Sequence, residues 1–199
     1  MKQDREYRSM ELRIADREDG AEPSFFVEGY ASTFEPYKIM SRDDVDYYEQ
    51  IDPEAFKDAD LTDVVFRVDH EGRVYARSSA GTLNVWTDDH GLAQKADLSK
   101  TQAARDLFAD IEAGNYPQMS FAFTVAEDHY DKATHTRIID RIAKVFDVSP
   151  VSFPANPGTQ LSVSTRAYFD GVIEMEQAER LERERRERQK QKIRILTEV

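Results

Sequence analysis

Residues 116–123 read YPQMSFAF, and the rest of the chain is best understood outward from this strand-like segment. Successive side chains of a strand point to opposite faces of a sheet. Met119, Phe121 and Phe123 therefore share an apolar face, whereas the alternate positions, beginning with Ser120, are small. Small neighbours would let a substrate backbone approach the Ser120 hydroxyl. A structural sheet with one polar face has the same pattern, so the segment alone does not identify a nucleophile.

Two other residues flank this strand in the sequence. Residues 64–70 read VVFRVDH and place His70 at the end of an apolar row on a predicted strand face. Asp147 interrupts a second apolar run, residues 145–148, although aspartate is depleted in strands and a buried carboxylate requires a partner. A hydroxyl, an imidazole and a carboxylate are the groups that acyl transfer needs. In the structural alternative, His70 is a core histidine and Asp147 pairs with an arginine such as Arg141 or with a backbone amide.

Other basic groups are less distinctive. His90, His129 and His135 fall in predicted turns, where exposed histidines are expected. A serine–lysine dyad that uses Lys95 or Lys144 is an open chemical alternative. The spacing of histidines and carboxylates predicts no metal site, and no phosphate-binding or dinucleotide-binding glycine pattern is present. We therefore expect neither a metal nor a cofactor.

Composition limits the class of protein. The chain has 199 residues, of which 40% are apolar, and this is enough for one core with appendages. No run approaches the roughly 18 apolar residues of a membrane helix, and residues 1–5 lack the apolar segment of a signal peptide. We expect a soluble protein that stays where it is made. The absence of cysteine excludes disulfides, thiolate metal sites and a cysteine nucleophile.

Charge is distributed unevenly. The net charge is −12, but residues 179–199 contain eight Lys or Arg and five Glu, a net +3. The remaining residues, 1–178, carry 19 basic and 34 acidic side chains, a net −15 that should repel nucleic acid. The sequence thus predicts a domain over residues 1–166 and a charged helical extension over 167–199. The extension is either a solvated helix or a docking arm, and a homo-oligomer is possible although sustained heptads are absent.

The pattern along the chain predicts mostly strands, with a long helix at the end. One earlier helix spans 100–113, with capping-box spacing between Ser99 and Gln102 and a stop at Gly114. An N-cap aspartate, Asp52, followed by proline predicts another short helix. The fold is therefore expected to be α+β and mainly β, closed as a barrel or packed as a sandwich. The predicted strands are residues 10–14, 25–30, 61–68, 81–86, 92–96, 119–127 and 136–146.

Taken together, the motifs resemble those of the prohead, or procapsid, maturation proteases of tailed bacteriophages, which are related in fold to the herpesvirus assemblins. The resemblance covers about residues 10–165, with the motifs in the family's order. The matching motifs are FVEGYASTF at 26–34, DHE at 69–71, GTL at 81–83, GL at 91–92, MSFAF at 119–123 and DVSPVSFPANP at 147–157.

The resemblance implies a compact herpesvirus-protease-like β-barrel with surrounding helices, and a serine endopeptidase activity. It makes Ser120 the nucleophile and His70 the general base. The third residue in the family is commonly acidic, which selects Asp147. The herpesvirus relatives use a second histidine, so His135 is an alternative. Backbone amides within residues 154–158 are the expected oxyanion donors.

The resemblance also implies where the protein acts. A protease of this family would work in the host cytoplasm, inside the assembling procapsid. It would cleave scaffold and capsid proteins and also itself, without a cofactor, and the charged extension would dock it there. The alternative is a non-enzymatic scaffold or assembly protein with the same barrel. The geometry of His70, Ser120 and Asp147 discriminates between the two.

Overall fold

A computed structural model describes residues 5–11, 13–14, 25–152 and 163–197. The chain divides into two compact units, Met1–Leu161 and Ser162–Val199. The strands are β1 (Glu6–Glu11), β2 (Arg13–Ile14), β3 (Phe26–Thr33), β4 (Tyr37–Arg42), β5 (Val45–Ile51), β6 (Val65–Val68), β7 (Glu71–Arg77), β8 (Leu83–Thr87), β9 (Gly91–Asp97), β10 (Gln118–Asp131) and β11 (Thr136–Val151). The helices are α1 (Gln102–Glu112), α2 (Val163–Thr197) and a 3-10 turn at Ser78–Ala80.

The strands of the first unit form two sheets. The seven-stranded sheet runs β1-β10-β11-β5-β4, and β6 joins it by pairing with both β11 and β7. The four-stranded sheet runs β2-β3-β9-β8. The fold is therefore mixed α+β and mostly strands, as predicted. Across the residues that the structure describes, neither sheet closes on itself, so the herpesvirus-protease-like barrel stays a prediction.

The apolar face predicted around residue 120 is the centre of the core. Met119, Phe121 and Phe123 are fully buried, and the last two rings stack at 4.5 Å between centroids. Helix α1 covers part of this core through Phe108, whose ring meets that of Phe25 at 5.5 Å. Burial of such aromatic side chains stabilises the fold by about 1.5–3 kcal/mol each. The three residues of the apolar face belong to the main apolar core, whereas Ser120 and Ala122 lie outside it although they are also buried, so β10 is covered on both faces here.

Local chemistry sets the start of α1. The side chain of Thr101 accepts a hydrogen bond from the Ala104 backbone N–H at 3.1 Å, so Thr101 is the N-cap. The capping box that begins at Ser99 was the wrong choice. The helix nevertheless lies within the predicted range and is followed by Gly114 in a left-handed conformation, with φ of 82°.

The predicted helix at Asp52 does not form. Asp52 caps the backbone N–H of Glu54 at 2.8 Å, but the segment continues as turns, in which the Ala55 N–H donates to the Asp52 carbonyl at 2.9 Å. The Ala55 carbonyl accepts from Ile142 of β11, also at 2.9 Å. Because the sheet uses this carbonyl, it does not serve the next helical turn.

The first strand of the chain divides between the two sheets. Residues Glu6–Glu11 pair with β10, and Arg13 and Ile14 pair with Glu28 and Val27 of β3. The hairpin expected between residues 10–14 and 25–30 is therefore present only for its β2 part. The second predicted hairpin, β8 with β9, is formed as expected.

The second unit is the single helix α2. Its buried side chains lie near its start and include Phe169, Val172 and Ile173. Beyond residue 178 its described side chains are mostly exposed, with ion pairs one turn apart such as Arg186 with Glu182 at 2.5 Å. Among the described residues, no helix is long and apolar enough to cross a membrane.

Candidate active site

His70 lies in a tight turn rather than on a strand face, which corrects the sequence prediction. Strands β6 and β7 form a hairpin in which Val68 pairs with Glu71, leaving Asp69 and His70 as its two turn residues. Both have positive φ, 48° for Asp69 and 61° for His70. Two left-handed residues are typical of a type I′ turn, and aspartate and histidine tolerate this region better than most residues do. The imidazole is therefore carried at the tip of a hairpin.

This turn is tied to the end of β11. The Asp69 backbone N–H donates to the Pro150 carbonyl at 3.1 Å. The Asp69 carboxylate accepts from the Ser152 backbone N–H at 2.9 Å and from its hydroxyl at 3.0 Å. Arg67 donates to the His70 carbonyl at 3.2 Å. These bonds fix the backbone on both sides of the imidazole.

His70 joins the other two predicted residues by a continuous chain of hydrogen bonds. Its Nε2 lies 2.7 Å from Ser120 Oγ, and its Nδ1 lies 2.6 Å from Asp147 Oδ1. Asp147 Oδ1 also accepts from the Ser149 hydroxyl at 2.7 Å. The Asp147 side chain is 2% exposed and that of His70 is 16% exposed. A buried carboxylate on Nδ1 favours a proton there, which leaves Nε2 to accept from the Ser120 hydroxyl.

Strand pairing explains why these residues meet. In the β10–β11 hairpin, Ser120 stands opposite Ser149 and Ala122 opposite Asp147. Directly opposed residues point to the same face, so Ser120 and Asp147 are diagonal neighbours on the face away from Phe121. Strand β6 runs parallel to β11 at Asp147, and its hairpin brings His70 over this face.

The structure places the alternative residues elsewhere. His135 follows the Asp131 end of β10, eleven residues from Ser120. At about 3.3 Å per residue this is roughly 35 Å measured along the strand, and there His135 Nδ1 lies 2.9 Å from the Tyr130 hydroxyl. Lys144 donates to Asp60 at 2.5 Å. Lys95 forms an ion pair with Glu28, and both residues lie in the four-stranded sheet, which does not contain Ser120.

The expected oxyanion donors, residues 154–158, lie outside the described residues.

Sequence reasoning missed a buried network of charges that links strands β1, β5 and β11. Arg8 donates to Glu6 and Glu49, at 2.7 Å in each case, and Arg137 donates to the same two carboxylates at 2.9 and 3.0 Å. Burial alone would lower the pKa of Arg137, but Glu49 and Glu6 hold that pKa above its ordinary value. The sequence signal for this network was weak: Glu6 and Arg8 flank Tyr7, so the two charged side chains would share one face of a strand.

The three side chains have the arrangement that serine proteases use for acyl transfer. A family model described as Caudovirus prohead serine protease matches residues 9–171. The chain belongs to this family and is a serine protease, which confirms the resemblance seen in the motifs.

Among solved structures, the bacteriophage T4 capsid assembly protease, gp21, is similar at 14% sequence identity and a TM-score of 0.47. The match covers 77% of this chain and all of the T4 chain. No curated protein matches the sequence significantly.

Proposed function

We propose that this protein is a procapsid maturation endopeptidase in which Ser120 is the nucleophile, His70 the general base and Asp147 the residue that orients His70. The observation that supports these roles most directly is the chain of bonds from Asp147 to His70 to Ser120, at 2.6 and 2.7 Å. A Ser–His–Asp triad carries out metal-independent acyl transfer with its three groups connected in this order.

The geometry suits the following mechanism. Ser120 Oγ attacks the scissile carbonyl while its proton passes to His70 Nε2, and Asp147 stabilises the imidazolium that forms. His70 then gives this proton to the leaving amine, and the C–N bond breaks. Water attacks the acyl-enzyme carbonyl as His70 accepts one of its protons. The bond between Ser120 Oγ and the acyl carbon then breaks, His70 returns the proton to Oγ, and the carboxylic acid product leaves. Ser120 is only 1% exposed, so bulk water has little access to the nucleophile.

The substrates that we propose are scaffold and shell proteins of an assembling procapsid, together with the protease itself. The family description, Caudovirus prohead serine protease, supports this substrate class. The protein would act within the procapsid in the host cytoplasm. Incubation with its own capsid protein, followed by mass spectrometry of the fragments, tests the substrate class. Intact capsid protein beside an active enzyme would reject this class without rejecting the catalytic roles.

Covalent labelling tests the catalytic roles without knowledge of the substrate. A biotinylated fluorophosphonate reacts with an activated serine as the Oγ–P bond forms, the P–F bond breaks and His70 takes the proton. We expect one adduct per chain, placed by mass spectrometry on the peptide that contains Ser120. Labelling should vanish in Ser120→Ala and His70→Ala while the melting temperature stays close to that of the wild type.

Ser41→Ala is the control, because the Ser41 hydroxyl donates to a carboxylate, that of Asp46 at 2.6 Å, rather than to an imidazole. This variant should label at the wild-type rate. An adduct on another serine, or undiminished labelling of folded Ser120→Ala, would overturn the proposed nucleophile.

We also propose that residues 167–199 form a docking extension that the chemistry does not need. Its mixed charge and exposed side chains beyond residue 178 support this role. A chain that ends at Arg166 is expected to fold and to label Ser120. A second chain that ends at Ala178 keeps the buried Phe169 and Ile173. If only the longer chain folds, the extension begins after Ala178, and if neither labels, the extension is part of the active protein.

A further inference from the structure

Tyr7 contacts the histidine of the site from the side that neither Ser120 nor Asp147 occupies. The Tyr7 and His70 ring centroids are 4.5 Å apart, with the planes inclined at 60°. Such an edge-on arrangement is a favourable aromatic geometry. Three groups thus surround the imidazole, and two of them already have roles in the proposed reaction.

The register of β1 explains how Tyr7 reaches this position. Tyr7 stands opposite Ala122 of β10, and Ala122 stands opposite Asp147 of β11. Opposed residues on neighbouring strands share a face, so Tyr7 lies on the same face as Ser120 and Asp147. The edge strand β1 therefore supplies one wall of the site.

The neighbours of Tyr7 hold this strand in place from its other face. Glu6 and Arg8 point away from the site and are buried, and both bond within the network that contains Glu49 and Arg137. Removing one partner of a buried ion pair is strongly destabilising, because a charge is left buried and unpaired. A one-residue slip of β1 would reverse both faces and break several of these pairs. The network therefore fixes the register that places Tyr7 against His70.

We propose that Tyr7 is a positioning residue for His70, held by the buried Glu6–Arg8–Glu49–Arg137 network. The proposal rests on the catalytic role of His70 proposed above. The imidazole is attached to a turn and must keep both nitrogens aligned while it gains and loses a proton. The Tyr7 ring limits its rotation, so that alignment with Ser120 and Asp147 is present before substrate arrives.

Labelling kinetics with the fluorophosphonate separate positioning from binding. In Tyr7→Leu we expect the maximal rate of covalent labelling to fall by about 10- to 100-fold, because a displacement of about 1 Å can cost that much. The reagent concentration at half-maximal rate should change less than twofold. Tyr7→Phe keeps the ring and should restore the wild-type rate.

Tyr30→Leu is the matched control, because Tyr30 meets His90 in the other sheet with nearly the same geometry, 4.4 Å and 76°. It should leave the labelling rate unchanged. If Tyr7→Leu does not fold, Tyr7→Met replaces it, because methionine fills the space without fixing the ring. A rate within twofold of wild type in the folded variant, or a Tyr7→Phe variant as slow as Tyr7→Leu, would overturn the proposal.

The His70→Ala background distinguishes this inference from the proposed function. If His70→Ala labels at the wild-type rate, the catalytic role of His70 is wrong. If His70→Ala is inactive but Tyr7→Leu is fully active, only the positioning role is wrong. If a slow residual labelling persists in His70→Ala, adding Tyr7→Leu should slow it no further, since Tyr7 acts through His70.

Discussion

A histidine–aspartate pair lies near each end of the hairpin β10–β11. The two pairs have nearly the same hydrogen-bond length but differ in how far they are exposed to solvent. At the open end, His70 Nδ1 lies 2.6 Å from Asp147, and the aspartate is 2% exposed. At the turn end, His129 Nδ1 lies 2.7 Å from Asp140, with side chains 55% and 38% exposed. A nearly identical contact thus occurs once in a buried setting and once in water.

The difference shows that a hydrogen bond between a histidine and an aspartate is not enough to identify a catalytic pair. At the open end the Ser120 hydroxyl lies 2.7 Å from the second imidazole nitrogen of His70. Hydrogen bonds of Asp69 also hold the backbone of the turn that carries His70. Low exposure strengthens the electrostatic interaction and excludes competing water. At the turn end solvent screens the pair, and its expected contribution is about 0–1 kcal/mol.

The sharpest test of this comparison exchanges each aspartate for asparagine. Asp147→Asn should lower the labelling rate by an amount on the order of 10⁴-fold, the size of the effect that the equivalent change has in a serine protease triad, because the amide favours the wrong tautomer. Asp140→Asn should leave the rate unchanged. Rates of fluorophosphonate labelling measure both variants. A loss below tenfold in folded Asp147→Asn would return Asp147 to a purely structural role.

The second test concerns stability near the turn end, where the buried charges of Glu49 and Arg137 lie. Glu49→Gln should destabilise the protein by about 3–5 kcal/mol, since Arg8 and Arg137 lose a buried counter-charge. The expected fall in melting temperature is on the order of 10 °C. Asp46→Asn removes an acid of the same strand whose partners, Lys38 and Ser41, are exposed, and should leave the melting temperature nearly unchanged. Equal melting temperatures for the two variants would contradict this account of burial.

His135 provides a third and smaller test. The sequence left it as an alternative third residue, but the structure places it past the end of β10 that is far from Ser120, beside Tyr130. We expect His135→Asn to label at the wild-type rate. It should lose about 1 kcal/mol of stability through the hydrogen bond with Tyr130, but no more than that, since asparagine tolerates the backbone φ of 52° at this position. A large loss of labelling with an unchanged melting temperature would restore His135 as a candidate.

The smallest predicted effect is a pH dependence at the turn end. The hydrogen bond that His129 donates to the Asp140 carboxylate raises the pKa of the imidazole above its ordinary 6.5. A raised pKa means that the pair stabilises the fold fully below about pH 6.5 and loses this effect as pH rises through the folded value. Because both groups are exposed, the change should be about 1–2 °C in melting temperature. The difference in melting temperature between the wild type and His129→Gln, followed against pH, isolates this effect. A difference that stays constant between pH 6 and 8 would refute the prediction.

The local pattern was sufficient to predict much of the hairpin. Apolar alternation over 119–123 gave the core face of β10, and the buried Phe121 and Phe123 confirm it. The same alternation put Ser120 on the opposite face, and the odd aspartate at 147 correctly signalled a carboxylate with a partner. These predictions succeed because the side-chain direction in a strand follows from its two-residue period alone.

The amino-acid sequence determined the chemical groups and many of the elements, because periodicity, capping and turn residues act over a few positions. It did not predict β4, β5 or β7. It did not determine which strands pair. The division of the first strand between two sheets, the parallel approach of β6 to β11 and the turn that carries His70 all depend on contacts between distant residues. Only these pairings bring Tyr7, His70, Ser120 and Asp147 together. Folding selects them because they bury the apolar faces and satisfy the buried charges at the same time.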